Sequence, residues 1–486
     1  MTETGNHSIR AAHAGPILYA RGTSETEVHL AALVVADSDW QPPALVPEDE
    51  QLIAPSELAS AFGWTIWRYA FALPRRAGGA RYALDDRSWT VQTDVSAEAL
   101  RIAYTACNGQ EHDDLLNPGP TRNTMWGRLA AQHRQTPFTL LLQGGDQLYA
   151  DDVWQCHDEL RRWHHEPDET RLTRELSDEA YAAVRQFYWS RYIALWAQAD
   201  LQPLLAEVPS LMMWDDHDIF DGWGSHAARA QACPVWRAVY TAAREAFALF
   251  QLGARAEEPP AICDPRAAPG FGWCCRYGDI AVVAPDLRSE RTPERVMGER
   301  GWAQVTAWPS ELADCRHVFV MSSVPALGPR FSWAERFLRV LPGAQSYEDD
   351  LRDQWQSRAH REEWRRFLET CLALEAAGPQ VTLLSGEIHL ATRAAMPGRT
   401  QTLHQLVASG IAHPAPPAWY ARILGGLASV GENPVAGHRI TLHPLPGRDR
   451  IYTAQRNYLV LARASTTWHA WWETEADGPT PPLDLA

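Results

Sequence analysis

Residues 138–151 read FTLLLQGGDQLYAD, a short apolar run that stops at two glycines and continues into carboxylate and phenol side chains. Two later segments repeat this design, since residues 211–218 read LMMWDDHD and residues 381–389 read VTLLSGEIH. A short apolar run bounded by turn or polar residues is typical of a buried strand. Three such strands followed by polar side chains predict a layered α/β fold with a site at the carboxyl ends of the strands.

The side chains that follow these strands are metal-ligand types. Carboxylates and imidazoles delivered from several strands suit divalent or trivalent ions. One segment of this kind would be weak evidence, but three in one chain predict a metal-dependent hydrolase.

Composition excludes several classes of function. The chain has 486 residues and a formal net charge of −16, and all 44 of its basic residues are arginine. The acidic balance argues against a scaffold that follows a nucleic-acid backbone. The absence of lysine excludes P-loop, kinase and Schiff-base chemistry. The eight cysteines form no C-x-x-C pair, so neither a zinc ribbon nor a thioredoxin motif is predicted.

The N-terminal residues 1–16 contain neither an apolar segment nor a twin-arginine pair, and no stretch of the chain approaches 18 apolar residues. We therefore expect no export signal, no membrane span and a cytoplasmic location.

The chain divides by pattern into two parts. Residues 1–97 hold short alternating segments separated by Gly, Pro and Asp turns, which predict an N-terminal β-rich domain. In residues 98–486 strands and helices alternate, which predicts an α/β body. Besides the three strands quoted above, strands are expected over residues 100–106, 274–285, 318–324 and 403–408. Helices are expected over residues 179–201, 235–252, 300–314 and 347–376.

The motifs taken together resemble the PhoD-like (alkaline phosphatase D) phosphatases of the calcineurin-like metallophosphoesterase superfamily. The resemblance is carried by residues 106–108 (ACN), 145–149 (GDQLY), 214–218 (WDDHD) and 385–389 (SGEIH), with further matches at 286–288 (DLR) and 323–325 (SVP). It implies a four-layer αββα sandwich preceded by the β-rich domain. It also implies a metallophosphoesterase that hydrolyses phosphomonoesters or phosphodiesters of small molecules through a metal-activated hydroxide.

The resemblance further implies a metal centre of two or more ions. Asp146 would bridge two ions, and Cys107 and Tyr149 would hold iron. Iron and calcium are the ions that the family implies, with manganese or zinc as alternatives. The full set of implied ligands is Cys107, Asp146, Tyr149, Asp216, Glu387 and His389. Glu387 stands where the family usually has aspartate.

The same resemblance places His217 where the leaving oxygen is protonated, a role that suits an imidazole. Asp218 is the candidate that orients the His217 ring.

Three more residues are candidates for binding the phosphate. Arg288 and Arg291 can pair bidentately with phosphate oxygens, although ordinary ion-paired arginines are an equal alternative. Asn108 either holds a phosphate oxygen or serves a structural turn. His413, in a Pro-rich loop, is a ligand, a residue at the rim of the site or a surface histidine.

Two other functions stay open. One is a metal-dependent amidase or carboxylesterase with the same site. The other is a non-catalytic scaffold that binds metal or a phosphorylated partner, against which the presence of His217 argues.

Overall fold

The computed structural model describes residues 12–48, 51–96, 100–111, 119, 121–329, 353–386, 388–428 and 431–485. Its strands are β1 (Ala12–Thr23), β2 (Glu27–Asp37), β3 (Leu45–Pro47), β4 (Ser56–Ala61), β5 (Trp64–Pro74), β6 (Ala80–Leu84), β7 (Arg87–Val91), β8 (Arg101–Thr105), β9 (Leu140–Gly144), β10 (Ser210–Met213), β11 (Trp273–Tyr277), β12 (Ile280–Ala284), β13 (His317–Met321), β14 (Gln380–Ser385), β15 (Thr392–Pro397), β16 (Thr402–Val407), β17 (Glu432–Val435), β18 (His438–His443), β19 (Asn457–Ala464), β20 (Thr467–Thr474), β21 (Gly478–Pro479) and β22 (Leu483–Leu485).

Its helices are α1 (Thr124–Gln135), α2 (Asp158–His164), α3 (Asp168–Arg171), α4 (Asp178–Trp196), α5 (Gln202–Glu207), α6 (Ala228–Gln231), α7 (Pro234–Gln251), α8 (Glu299–Val305), α9 (Trp308–Glu311), α10 (Arg361–Ala376) and α11 (Ala418–Ala428). Among these described helices, none combines the length and the apolar character that crossing a bilayer requires.

Two large sheets form the body of the protein. The first has the order β21-β20-β19-β8-β9-β10-β1-β2-β5-β4, with β22 paired to β20. The second has the order β11-β12-β13-β14-β16-β15-β18-β17. Strands β8, β9 and β10 are parallel neighbours in the first sheet, and β12, β13, β14 and β16 are parallel neighbours in the second.

The two sheets face each other across a shared core. Phe319 and Met321 of β13 pack in the cluster that contains the first sheet, whereas Val318 and Val320 pack with α8, α9 and α10. This alternation along one strand is expected when a sheet is covered on both faces. Helices α4, α5 and α7 contact β1 and β10 on the first sheet, and α10 contacts β14 on the second. The layers are therefore helix, sheet, sheet, helix.

The N-terminal segment is rich in strands, but most of them belong to the first large sheet. β1 pairs in parallel with β10 and in antiparallel orientation with β2, so that β1, β2, β5 and β4 continue the sheet of the main body. Only β3, β6 and β7 form a separate small sheet. A domain boundary at residue 97 stays a prediction.

The strands that precede the three motifs lie where they were predicted, as β9, β10 and β14. The strand expected over residues 274–285 is instead the hairpin of β11 and β12, which turns at Gly278 with a φ of +67°. The helix expected over residues 300–314 is split into α8 and α9, because Pro309 has no N–H to continue the helix from α8. Of the helix expected over residues 347–376, the first residues lie outside the described ranges, and the helix that is described begins at residue 361.

Candidate metal centre

Those predicted ligands that the structure describes gather where β8, β9, β10 and β14 end. The backbone N–H groups of Cys107 and Asn108 donate to the carbonyls of Gly145 and Asp146 at 3.1 and 2.8 Å, which holds the segments after β8 and β9 side by side. The ligand atoms of Cys107, Asp146 and His389 all lie within 4.8 Å of one another, and so do those of Asp146, Asp215 and Asp216. Asp146 belongs to both groups.

Three of these residues have a left-handed backbone. The φ angles are +56° at Cys107, +53° at Asp146 and +52° at His389. For a residue with a Cβ this conformation costs about 1–2 kcal/mol, and such strain concentrates at functional sites. Gly145, at φ +108°, permits the turn before Asp146, because a Cβ there would lie 2.8 Å from the Cβ of Asp215.

Within the two ligand groups, two buried carboxylate oxygens have no hydrogen-bond partner among the described residues: Oδ1 of Asp146 and Oδ2 of Asp215. Burial and the neighbouring Asp215 raise the pKa of Asp146 well above its usual range. Burial also raises the pKa of Asp215 to about 6, although the Arg288 guanidinium opposes the shift. Buried carboxylates are costly without cations to pair with them. The donor set and its unpaired oxygens therefore fit a centre of two metal ions.

Tyr149 and His389 lie together at one side of this cluster. The Tyr149 hydroxyl is 3.0 Å from Nε2 of His389. Burial raises the pKa of Tyr149 well above its usual value. Burial, together with His413 and His217, lowers the pKa of His389 well below its usual value, so the ring is neutral, as a metal ligand must be. The predicted ligand Glu387 lies outside the described residues.

His217 is held by a carboxylate that the sequence analysis did not assign. Its Nδ1 lies 3.0 Å from Oδ2 of Asp151, whose Oδ1 accepts a bond from the backbone N–H of Asp221 at 2.8 Å. Burial alone would lower the pKa of His217, but the carboxylates of Asp151 and Asp216 raise it well above its usual value. The ring also stacks on Tyr149 with a centroid distance of 4.3 Å.

Asp218, predicted to orient His217, instead ties the two motif loops together. Its carboxylate accepts bonds from the backbone N–H groups of Leu148 and Asp215, each at 2.9 Å, and from Nε2 of Gln251 at 2.8 Å. Asp151 closes the 138–151 motif, but spacing alone does not reveal which of the neighbouring carboxylates reaches the ring.

Arg288 and Arg291 lie in a buried ion-pair network. The Arg288 guanidinium is fully buried and pairs with Asp215, with Asp216 at 3.2 Å and with Asp353 at 2.7 Å. Nε of Arg291 lies 2.9 Å from Asp353. No motif marks Asp353 in the sequence, and it is separated from Arg288 by 65 positions. Arg288 is therefore a counter-charge for Asp215 and Asp216, and Arg291 contacts the same network through Asp353.

Asn108 and His413 border the same site. Oδ1 of Asn108 accepts a bond from Nε1 of Trp126 at 2.7 Å, and its Nδ2 is buried without a partner in the described ranges. His413 is buried, stacks on His389 with a centroid distance of 3.5 Å and lies 3.2 Å from Oε1 of Glu111. His413 therefore lies beside the candidate ligand His389 and is not a surface histidine.

Comparison of the sequence with known proteins finds a phosphatase family and a yeast relative. Residues 119–346, a little under half of the chain, match the sequence family described as PhoD related phosphatase. A curated relative, the protein YGR266W of Saccharomyces cerevisiae, is 23% identical over 354 residues, which are 60% of this chain. The chain spans about half the length of that relative.

Two solved structures share the fold. A structure of PhoD is similar with a TM-score of 0.57 and 13% identity, over 96% of this chain and 88% of the other. The purple acid phosphatase PPD1 from yellow lupin (Lupinus luteus) seeds is similar with a TM-score of 0.52 and 11% identity, over 97% of this chain and 74% of the other. The predicted resemblance to PhoD-like phosphatases and the predicted sandwich fold are thus confirmed, and the predicted class of enzyme agrees with these matches.

Proposed function

We propose that this chain, which shares the fold of PhoD and matches the PhoD-related phosphatases, is a metallophosphoesterase that hydrolyses small phosphomonoesters or phosphodiesters. One observation carries the proposal: Asp146 belongs to two ligand groups at once, and a buried oxygen in each of Asp146 and Asp215 lacks a hydrogen-bond partner among the described residues. A carboxylate shared by two groups is what a two-metal phosphoesterase centre requires.

The donor sets support two different ions. Cys107, Tyr149 and His389 supply a thiol, a phenol and an imidazole beside Asp146, a set whose anionic forms favour a trivalent ion such as iron. Asp215 and Asp216 supply oxygen alone, which suits calcium or manganese, with zinc as a further candidate. Ions bound there would activate a water molecule and neutralise the charge that develops on the phosphoryl group.

The surrounding residues complete the chemistry. Asn108 would donate its unpartnered Nδ2–H to a phosphoryl oxygen. His217, whose Nδ1 is engaged by Asp151, would present Nε2 to the leaving oxygen and protonate it. Arg288, enclosed by carboxylates, would balance the charge of the site rather than clamp the phosphate.

The test is hydrolysis by chelator-stripped protein with and without added Mn²⁺. We expect metal-dependent hydrolysis of 4-nitrophenyl phosphate, its bis ester, or both. The Asp146→Asn variant should lose activity by about a thousandfold or more and bind fewer ions, because both ions lose their shared anion. The exposed Asp158→Asn variant is the matched control.

The other candidate functions predict different results. Cleavage of 4-nitrophenyl acetate or a 4-nitroanilide, without cleavage of phosphoesters at equal metal content, would indicate an amidase or carboxylesterase. Inactivity on every ester at full metal occupancy would indicate a scaffold. Full activity of folded Asp146→Asn protein would exclude the two-metal centre.

A further inference from the structure

Tyr104 lies between the two sheets, directly below the candidate metal centre. It is paired with Leu142 in the register of β8 and β9, so that its side chain lies on the same face as Gly144, two residues further along β9. A Cβ on Gly144 would lie 1.9 Å from the Tyr104 hydroxyl oxygen, and one on Gly386 would lie 3.7 Å from it. The phenol therefore occupies a slot formed by a motif glycine from each sheet.

No hydrogen bond to a described residue accounts for the position of the Tyr104 hydroxyl. Tyr104 is fully buried, and its hydroxyl has no hydrogen-bond partner in the part of the chain that the structure describes. A buried hydroxyl without a partner costs about 1–3 kcal/mol. Burial, with Cys107, Asp215 and Asp146 nearby, raises the pKa of Tyr104 well above its usual value, so the group is a phenol that can donate.

Asp215 has a buried oxygen, Oδ2, that lacks a hydrogen-bond donor among the described residues. Its Oδ1 is held by Arg288 and by the Ser323 hydroxyl at 2.7 Å, whereas its Oδ2 has no partner among the described side chains. Asp215 belongs to one ligand group only, so its Oδ2 can accept a hydrogen bond with one lone pair while the other binds an ion, whereas the carboxylate of Asp146 belongs to both groups and would bind two ions. Oδ2 of Asp215 is therefore the acceptor that best matches the Tyr104 hydroxyl.

We propose that Tyr104 is a positioning residue of the metal centre, whose hydroxyl donates a hydrogen bond to Oδ2 of Asp215 when that carboxylate turns to bind an ion. The inference rests on the proposed two-metal centre. It also explains why the residue at position 144 has no side chain, since any Cβ there would displace the phenol.

We expect Tyr104→Phe to weaken metal binding without lowering the melting temperature of the metal-free protein. Tyr104→Phe keeps the ring and removes only the hydroxyl, so the metal-free protein should melt at the same temperature or higher. Its affinity for the ion held by Asp215 should nevertheless fall by about tenfold, as is usual when a partner of a metal ligand is removed. A purely structural residue would instead lower the melting temperature of the metal-free protein.

Tyr458→Phe is the matched control. Tyr458 lies on β19, next to β8, is also fully buried, and also has a hydroxyl without a partner in the described ranges. The charged groups that act on it are Glu473, Arg128 and Arg101, and none of these is a candidate ligand. Its substitution should leave metal binding as in the wild type.

The experiment is calorimetric titration of Mn²⁺ into the chelator-stripped full chain of the wild type, both single variants, Asp215→Asn and the Tyr104→Phe/Asp215→Asn double variant. We expect two ions in the wild type, a second ion bound about tenfold more weakly by Tyr104→Phe, and no further loss in the double variant relative to Asp215→Asn. Two-ion binding by Tyr104→Phe with wild-type affinities would overturn this inference alone, as would a Tyr104→Phe protein that does not fold. A wild type that binds no ions would overturn the proposed function as well.

Discussion

His217 and Asp151 form the pair on which the proposed proton transfer depends. Asp151 accepts from Nδ1 of the ring at 3.0 Å and is itself fixed by the N–H of Asp221, so it keeps a proton on Nδ1 and sets the direction of Nε2. Removing the ring would remove the acid, whereas removing the charge of Asp151 would lower the pKa of the ring and loosen its orientation.

This difference leads to a prediction for two kinds of ester. His217→Ala should slow alkyl phosphoesters by about 100-fold or more, and nitrophenyl esters much less, because a nitrophenolate needs little protonation to leave. Asp151→Asn should slow alkyl esters by about tenfold, and should have no further effect in the His217→Ala protein. The measurement is kcat/KM on both ester types for the single and double variants.

Asp152→Asn is the control, because Asp152 is adjacent in sequence but pairs with Arg191 at 3.3 Å. Equal losses on both ester types would show that His217 positions an ion or the phosphate. Additive losses in the double variant would show that Asp151 does not act through the His217 ring.

Among the secondary structure elements, the connection from β15 to β16 depends on one side chain of α10. Glu375, 1% exposed, accepts hydrogen bonds from the backbone N–H groups of Arg399, Thr400 and Gln401 at 2.8, 2.8 and 2.5 Å, and from the Thr400 hydroxyl. A single carboxylate thereby satisfies the polar groups of the turn over residues 398–401.

We expect Glu375→Ala to lower the free energy of unfolding by about 3 kcal/mol, because three backbone N–H groups and a hydroxyl of the turn would lose a charged acceptor. The urea midpoint measures this loss, and the number of Mn²⁺ ions bound by the folded protein should not change. Glu369→Ala, on an exposed position of the same helix, should change the free energy by less than about 0.5 kcal/mol. Equal midpoints for the two variants would contradict the role of Glu375.

At the scale of the whole molecule, the buried histidine His317 lies between the two sheets of the sandwich. Nδ1 of His317, in β13, lies 3.2 Å from Gln380 Oε1, its Nε2 lies 3.0 Å from Thr382 Oγ1, and its ring meets Trp468 of the facing sheet at 5.8 Å between centroids. Burial lowers the pKa of His317 from 6.5 to about 3. The ring is therefore neutral in the folded protein.

The direction of the pH dependence follows from this shift. Below pH 6.5 the unfolded chain binds a proton at His317 that the folded chain binds only near pH 3, so acid favours unfolding across this range. The contribution is about 1.4 kcal/mol per pH unit, or about 2 kcal/mol at pH 5.

His317→Gln should therefore lose less stability than the wild type between about pH 7 and about pH 5, as measured by urea midpoints at the two pH values. His469→Gln is the control, because His469 is partly exposed and pairs with Asp484 near the end of the chain. If the urea midpoint of His317→Gln fell between these two pH values by as much as that of the wild type, His317 would not be the source of the pH dependence.

Local patterns in the amino-acid sequence were sufficient to predict the strands β9, β10 and β14 and the ligand types that follow them. Apolar runs, terminal glycines and the residues after them are set by neighbours along the chain, and so they can be recognised without a structure. The order of these motifs was also sufficient for the resemblance to PhoD-like phosphatases and for the sandwich fold.

Other features depend on pairing between distant segments and could not be predicted in this way. The N-terminal strands join the main sheet through the pairing of β1 with β10, and the C-terminal β19 lies beside β8. Asp353 reaches Arg288 across 65 positions, and Asp151 rather than Asp218 reaches the His217 ring. The strands pair because buried backbone groups need hydrogen-bond partners, and the ion pairs form because a buried charge needs an opposite charge nearby. The separation of two residues along the chain does not indicate which partner each group will meet.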